Sequence, residues 1–193
     1  MLSEYILKIS PKLLRFYRNF LIDKNFILNN IPENGKLLDF GCGVGIFSFE
    51  IGKCKPKLHI YSVDINKRLI SLAKKYHQLK NIDYYEASIE SLKEKFDCII
   101  VIDVFHHFTL QKQKEFFNLI KKRIKKGGNV ILVEPHPDNF FSYFMDTYIS
   151  KDTPLNISLS EMINKIKSNG FKIKSIESKH RGLVNSYYIV FTK

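Results

Sequence analysis

Tryptophan is absent from these 193 residues, and cysteine occurs only three times. Cys42, Cys54 and Cys98 are odd in number and form no C-x-x-C pair, which argues against a disulfide framework and a zinc site. No metal is expected. No run approaches the ~18 consecutive apolar residues of a membrane span. The first ten residues, MLSEYILKIS, carry Glu4 and Lys8. They lack the basic start, long apolar centre and small-residue cleavage site of a leader. The expectation is a soluble, cytoplasmic protein. Internal repeats and low-complexity tracts are missing too. What remains is a chain that is 45% hydrophobic, with 16 phenylalanines, of a length that suits one domain with a sizeable core.

Arginine is also scarce. Only five of the 31 basic residues are Arg, although the net charge reaches +12. The charge is densest at Lys121, Lys122, Arg123, Lys125 and Lys126, at the end of an expected helix. Two readings fit this run. It is a patch for nucleic acid or an anionic membrane, or a solvated helix end whose cations suit the macrodipole. No recognition motif accompanies it, so the second reading leads and nucleic acid is the lesser expectation.

Along the chain, helical and strand-like segments alternate. Residues 2–29 carry a helical pattern, and Pro32 and Gly35 mark a connector. Strands are expected at Lys36–Phe40, Leu58–Val63, Ile82–Tyr85, Cys98–Ile102 and Val130–Val133. Helices are expected at Ile46–Gly52, Lys67–Gln78 and Lys112–Ile124, the last closed by Gly127-Gly128. Near-continuous apolar strands such as CIIVI and VILV suit a parallel sheet covered on both faces. A helix over Ser160–Asn169 precedes FKIKSIE and SYYIVF, joined by Ser178 to Asn185. That link is too short for a crossover, so the last pair is antiparallel. The pattern predicts an α/β fold, a doubly wound, mostly parallel sheet with an antiparallel strand near one edge. It divides into an N-terminal helical cap (1–35), a core (36–136), a segment at 137–157, and a closing helix with a strand pair (158–193).

One stretch concentrates the chemistry. In LLDFGCGVGIFSFE, Asp39 precedes Gly41, Gly43 and Gly45. Where a dinucleotide fingerprint places its third glycine, this chain has Ile46. Glycines after a first strand leave room for ligand atoms against the backbone; taken alone, they also fit a tight strand-to-helix turn. Asp64 closes the second strand, nineteen residues after Gly45. An acid there can accept hydrogen bonds from a ribose cis-diol. Together the two features point to a nucleoside-containing ligand.

These residues resemble the first motif of class I S-adenosylmethionine-dependent methyltransferases, in which an acid precedes G-x-G-x-G. The resemblance implies a seven-stranded, Rossmann-like methyltransferase fold and S-adenosylmethionine as cofactor. It implies that Asp39 faces the methionine ammonium and that Gly41, Cys42, Gly43 and Gly45 form the loop. It gives Asp64 the ribose and Ile65 the adenine face. Ser88 stands where many relatives carry Asp or Asn near the adenine amine, with Ile89 beside it. FDCIIVIDVFHHF looks like the fourth-strand motif of small-molecule members and adds Asp103 and Val104 to the cofactor set. KKGGNVILVEP is similar to their fifth-strand approach.

The transfer so implied is a displacement in which the protein mainly aligns the reactants. His106 and His107 follow the fourth strand, where an acceptor would enter. One reading makes His107 a base, since histidine titrates near neutrality; the other packs it under the loop, bonded to backbone. His136, in EPHP, is a second candidate. Residues 137–157 are rich in aromatics and fit either a lid over an apolar or aromatic acceptor or an amphipathic helix on the sheet. The N/D-P-P-Y/F motif of base-amino methyltransferases is absent, as DVFH stands there. A small-molecule acceptor therefore leads. A protein or RNA acceptor comes second and requires the basic patch to flank the cofactor cleft. A non-catalytic cofactor-binding module, or a nicotinamide oxidoreductase, comes third.

Overall fold

A computed structural model describes residues 21–137, 157–182 and 184–193. Its elements are α1 (Lys24–Asn30), β1 (Gly35–Phe40), α2 (Ile46–Cys54), β2 (Leu58–Asp64), α3 (Lys67–Tyr76), β3 (Ile82–Glu86), β4 (Phe96–Ile102), α4 (Leu110–Arg123), β5 (Ile124–Pro135), α5 (Leu159–Ser168), β6 (Lys172–Arg181) and β7 (Val184–Thr192). The seven strands form one sheet in the order β3-β2-β1-β4-β5-β7-β6. Strands β1 to β5 pair in parallel, and β7 is antiparallel to both β5 and β6. The expected doubly wound sheet with its antiparallel strand near one edge is what the chain builds.

Side-chain alternation explains the coverage. Ile99, Val101, Val130 and Leu132 point to one face, where Phe116, Phe117 and Ile120 of α4 and Met162 and Ile166 of α5 cover them. Cys98, Ile100, Ile131 and Val133 point to the other, under Phe26 and Ile27 of α1, Ile51 of α2, and Ile70 and Ala73 of α3. Strands β4 and β5 are thus apolar on both sides, as parallel strands between helical layers must be. From β1 the chain winds outward through β2 and β3, then returns to β4 on the other flank of β1. The carboxyl ends of β1 and β4 consequently meet at the point where the winding reverses.

Three boundaries differ from expectation. The helical pattern over 2–29 is not continuous within the described part, because Asp23 is an extended N-cap whose carboxylate accepts the N–H groups of Asn25 and Phe26. The remainder of that pattern, residues 2–20, lies outside the described residues, as do 138–156 of the lid segment. Helix α4 is not closed by Gly127-Gly128. Ile124 is already extended, and both glycines lie in β5. There β5 bulges, with Ile124 opposite Phe96 and Asn129 opposite Cys98. The β6–β7 link is also far tighter than Ser178 to Asn185, since the strands stay paired up to Arg181 and Val184.

Candidate functional site

At the end of β1 the chain turns sharply across β2. The N–H groups of Gly41 and Cys42 both donate to the Val63 carbonyl, at 2.9 and 3.0 Å, and the Gly45 N–H donates to the Cys42 carbonyl at 2.9 Å. All three glycines are left-handed, with φ of 74°, 55° and 77°. Their reasons differ. A Cβ on Gly41 would collide with the Val104 side chain, and one on Gly45 would lie 2.6 Å from the Tyr84 ring. At Gly43 an added Cβ would meet nothing within 4 Å. Packing within the protein therefore requires the outer two glycines, while the middle one faces open space.

Acidic groups border that space. Asp39 is only 3% exposed and accepts the Ser48 hydroxyl, which in turn accepts that of Ser62 at 2.7 Å. Asp64 closes β2, and its two oxygens accept from the N–H groups of Gly43 (2.9 Å) and Asn66 (2.8 Å). It thereby ties the glycine loop to the start of α3, which Asn66 caps. Beside it Ile65 is 77% exposed, an uncovered apolar surface at the loop. Burial, together with the charges of Asp39 and Asp64, pushes the Cys42 thiol well above its ordinary range, so it stays protonated. Ser88 caps a 3-10 turn over Ile89–Ser91, and Ile89 itself is buried in the core.

The other wall follows β4. Asp103 has φ of 54°, the one non-glycine with positive φ among the described residues. Its N–H donates to the Val133 carbonyl at 2.9 Å. A 3-10 turn then spans Phe105–His107. Its anchor is Glu134 of β5, 1% exposed, whose carboxylate accepts the N–H groups of Val104 (3.0 Å), Phe105 (2.8 Å) and His106 (3.3 Å), and the Nδ1 of His106 at 2.5 Å. A buried carboxylate is tolerated when hydrogen bonds satisfy it, and four donors do so here. Sequence reasoning missed Glu134. The available signal was an acid directly after four buried apolar positions, VILV.

The histidines separate. His106 is buried and bonded to Glu134, whereas His107 is exposed, its ring 4.0 Å from that of His106. The Val104 side chain rests against Gly41, so the turn bearing His107 abuts the glycine loop. His136 sits on the β7–β6 side instead. Its N–H donates to the Asn185 carbonyl, its Nε2 lies 3.1 Å from Ser178 Oγ, and its ring meets the Tyr187 ring edge-on.

The basic run occupies the opposite edge of the sheet. Lys121 to Arg123 end α4, and Lys125 and Lys126 begin β5. Strand β4, from Phe96 to Ile102, separates that edge from the glycine loop by about 20 Å. An open concavity of about 450 Å³ lies there too, bounded by Asn29–Pro32, Asp97 and Lys125–Asn129. Among the described residues no helix is long and apolar enough to cross a membrane.

Residues 13–174 match a family model described as "Methyltransferase domain". The ubiquinone biosynthesis O-methyltransferase of Pelagibacter ubique is 26% identical over 94% of this chain and 80% of its own length. A ribosomal RNA small subunit methyltransferase C from Shewanella sediminis is 28% identical over 72% of this chain, which spans 43% of that relative. Among solved structures, magnesium protoporphyrin IX methyltransferase from Synechocystis PCC 6803 with bound SAH superposes with a TM-score of 0.71 at 16% identity, over 88% of this chain and 81% of that one.

Proposed function

Since the chain belongs to the methyltransferase domain family, we propose that it transfers a methyl group from S-adenosylmethionine to a small-molecule acceptor. The observation that carries the cofactor is the open space at Gly43, bordered by the Asp64 carboxylate and the exposed Ile65. A carboxylate offers about four acceptor positions, and Asp64 uses two for Gly43 and Asn66, so acceptor capacity remains for ribose hydroxyls. Ile65 offers an apolar face for adenine, and Ser88 is assigned to the adenine amine. Asp39 and Asp103 supply negative charge for the methionine end. When bound, S-adenosylmethionine supplies a methyl group on a positively charged sulfur.

The chain's own task is alignment. Glu134 holds the 104–107 turn by backbone N–H groups, and Val104 presses that turn onto Gly41. The wall carrying His107 is thereby fixed relative to the loop. The Nδ1 of His106 is held by Glu134, leaving His107 as the exposed imidazole on that wall. Its role is to accept a proton from an acceptor that keeps one until late. His136, turned toward Ser178, has a weaker claim.

The acceptor class rests on charge placement. An RNA acceptor at the methyl site calls for cations around the cleft. Among the described residues the concentrated lysines lie at the other end of the strands, and the site's buried or loop-facing groups include the acids Asp39 and Asp64. The experiment is calorimetry with S-adenosylmethionine, its demethylated product and NAD, followed by a metabolite screen with labelled cofactor. We expect binding of the first two, none comparable for NAD, and a labelled small product. Preference for NAD, or label found only in RNA or protein, would overturn the proposal.

A further inference from the structure

We infer that the amino-terminal edge of the sheet is a docking surface for the phosphate backbone of a nucleic acid, one that holds it away from the methyl site. The inference does not depend on the acceptor proposed above. Five cations fall within residues 121–126, where only Ile124 interrupts them and turns inward. The antiparallel return of β7 brings a second set beside them. Thr192 of β7 pairs with both Asn129 and Lys172, and Lys174 donates to the Asn129 side chain at 2.6 Å, so Lys172, Lys174 and Lys193 lie level with Asn129, five residues into β5. Lys193 donates to the Lys121 carbonyl, and Lys121 donates to the carbonyl of Asn169, two residues after Lys167. These contacts join residues far apart in sequence into one lysine-covered edge.

Two neutralising effects are too small to account for it. The C-termini of α4 and α5 both reach this edge, and each contributes only about half a negative charge. Of the carboxylates here, Asp97 is engaged by Lys125 at both oxygens, 2.8 and 2.9 Å, which uses one cation of the set. The nine cations at 121–126, 167–174 and 193 thus face only about one unit of negative charge from the two helix ends and one from Asp97. Lysine, a compact point charge, suits sequence-independent phosphate contacts. The concavity beside the lysines is also lined by Asn29, Asn30 and Asn129, although the amides of Asn30 and Asn129 already donate to the Phe26 and Asn30 carbonyls.

The same edge argues against a lipid surface. Peripheral membrane binding of this kind combines cations with an apolar face that enters the interface. Among the described residues the exposed large apolar side chains are Ile65, Leu110, Tyr85, Tyr76 and Ile176, and none belongs to the 121–126, 167–174 and 193 set. A phosphate backbone needs no such wedge.

The test is fluorescence anisotropy of a short labelled RNA hairpin against the full chain over a salt series. It is repeated with Lys121, Lys122, Lys125 and Lys126 all changed to Gln, and with the milder pair Lys122→Glu and Lys126→Glu. The unmodified protein should bind, and its affinity should fall steeply with salt. The fourfold variant should flatten the log–log slope by about three units, near one for each of Lys121, Lys122 and Lys126, since Lys125 is engaged by Asp97. Calorimetry with S-adenosylhomocysteine checks that each variant keeps a folded cofactor site, so unaltered cofactor affinity with lost RNA binding supports the inference. Because Lys125 pairs with Asp97, misfolding of the fourfold variant would leave the charge-reversed pair to decide. No RNA binding by the unmodified protein at low salt would overturn the inference, as would RNA binding unchanged in the charge-reversed pair. Tighter binding to phosphatidylglycerol vesicles than to RNA at equal phosphate would replace it with a membrane surface.

Discussion

Replacing the three loop glycines with alanine, one at a time, separates what the fold needs from what a ligand needs. All three occupy the left-handed region, where an L-residue costs about 1–2 kcal/mol. At Gly43 that is the whole folding cost, because the new methyl meets nothing within 4 Å. At Gly45 the methyl would stand 2.6 Å from Tyr84, whose hydroxyl is tied to the His77 carbonyl at 2.9 Å and cannot easily retreat. Overpacking there adds about 1–3 kcal/mol. Gly41→Ala meets Val104 on the turn anchored by Glu134 and should resemble Gly45→Ala. Urea unfolding should therefore rank Gly43→Ala as the mildest of the three. Calorimetry with S-adenosylhomocysteine, at a temperature where each variant is folded, should show a loss of tenfold or more for Gly43→Ala, the scale of about 1.4 kcal/mol or above. The extra methyl then occupies ligand space instead of protein space. Wild-type affinity in Gly43→Ala would refute the idea that the cofactor backs onto that residue. A folding loss in Gly43→Ala exceeding that in Gly45→Ala would refute the packing argument.

Three further outcomes follow from named contacts. Glu134→Ala should destabilise by about 3–5 kcal/mol in urea melts, because it strips a buried acceptor from three N–H groups and the His106 ring; Glu134→Gln, which keeps one acceptor, should lose less. Burial alone would push the Asp23 carboxyl up, but the hydrogen bonds from Lys179 and the Phe26 N–H and the charges of Lys179 and Arg181 outweigh it and hold it below the usual range. A carboxyl depressed in the folded state contributes stability that is present above its unfolded value, about 3.9, and is lost as pH falls through the folded one; melting curves of Asp23→Asn should lack that acid-side loss. His107→Ala should retain cofactor affinity while methyl transfer to the true acceptor falls about 10²–10⁴-fold; unchanged turnover would end its proposed role as base.

The sheet was legible because parallel strands covered on both faces must be apolar at successive positions, and CIIVI and VILV are. The glycine loop and Asp64 were legible because β1, the loop and β2 are contiguous in the chain. Glu134 was not, since every group that it anchors lies 28 to 30 residues earlier, and a carboxylate just past a strand reads as a solvated end. Likewise which of His106 and His107 is buried depends on how a 3-10 turn rotates, and neighbouring histidines look alike in sequence. Gly127-Gly128 reads as a helix stop by composition. The bulge against β4, which puts both in a strand instead, is a property of the partner strand's register.

Electrostatics finally accounts for the acid ahead of the loop. Helix α2 begins at Ile46, immediately after Gly45, so its amino end faces the glycine loop. In dinucleotide sites that end, carrying about half a positive charge, favours a pyrophosphate. Here two carboxylates, Asp39 and Asp64, oppose it from the end of β1 and the end of β2. Their combined charge exceeds the helix end's by about fourfold. The chain pays for this with a buried acid, Asp39, stabilised by the Ser48–Ser62 hydroxyl relay. Burial first, and then the same pair of charges, pushes the Cys42 thiol up. A loop shaped like an anion cradle but held at negative potential suits a ligand that joins a nucleoside to a cation. A sulfonium with an ammonium beside it meets that description, and a nucleoside diphosphate does not.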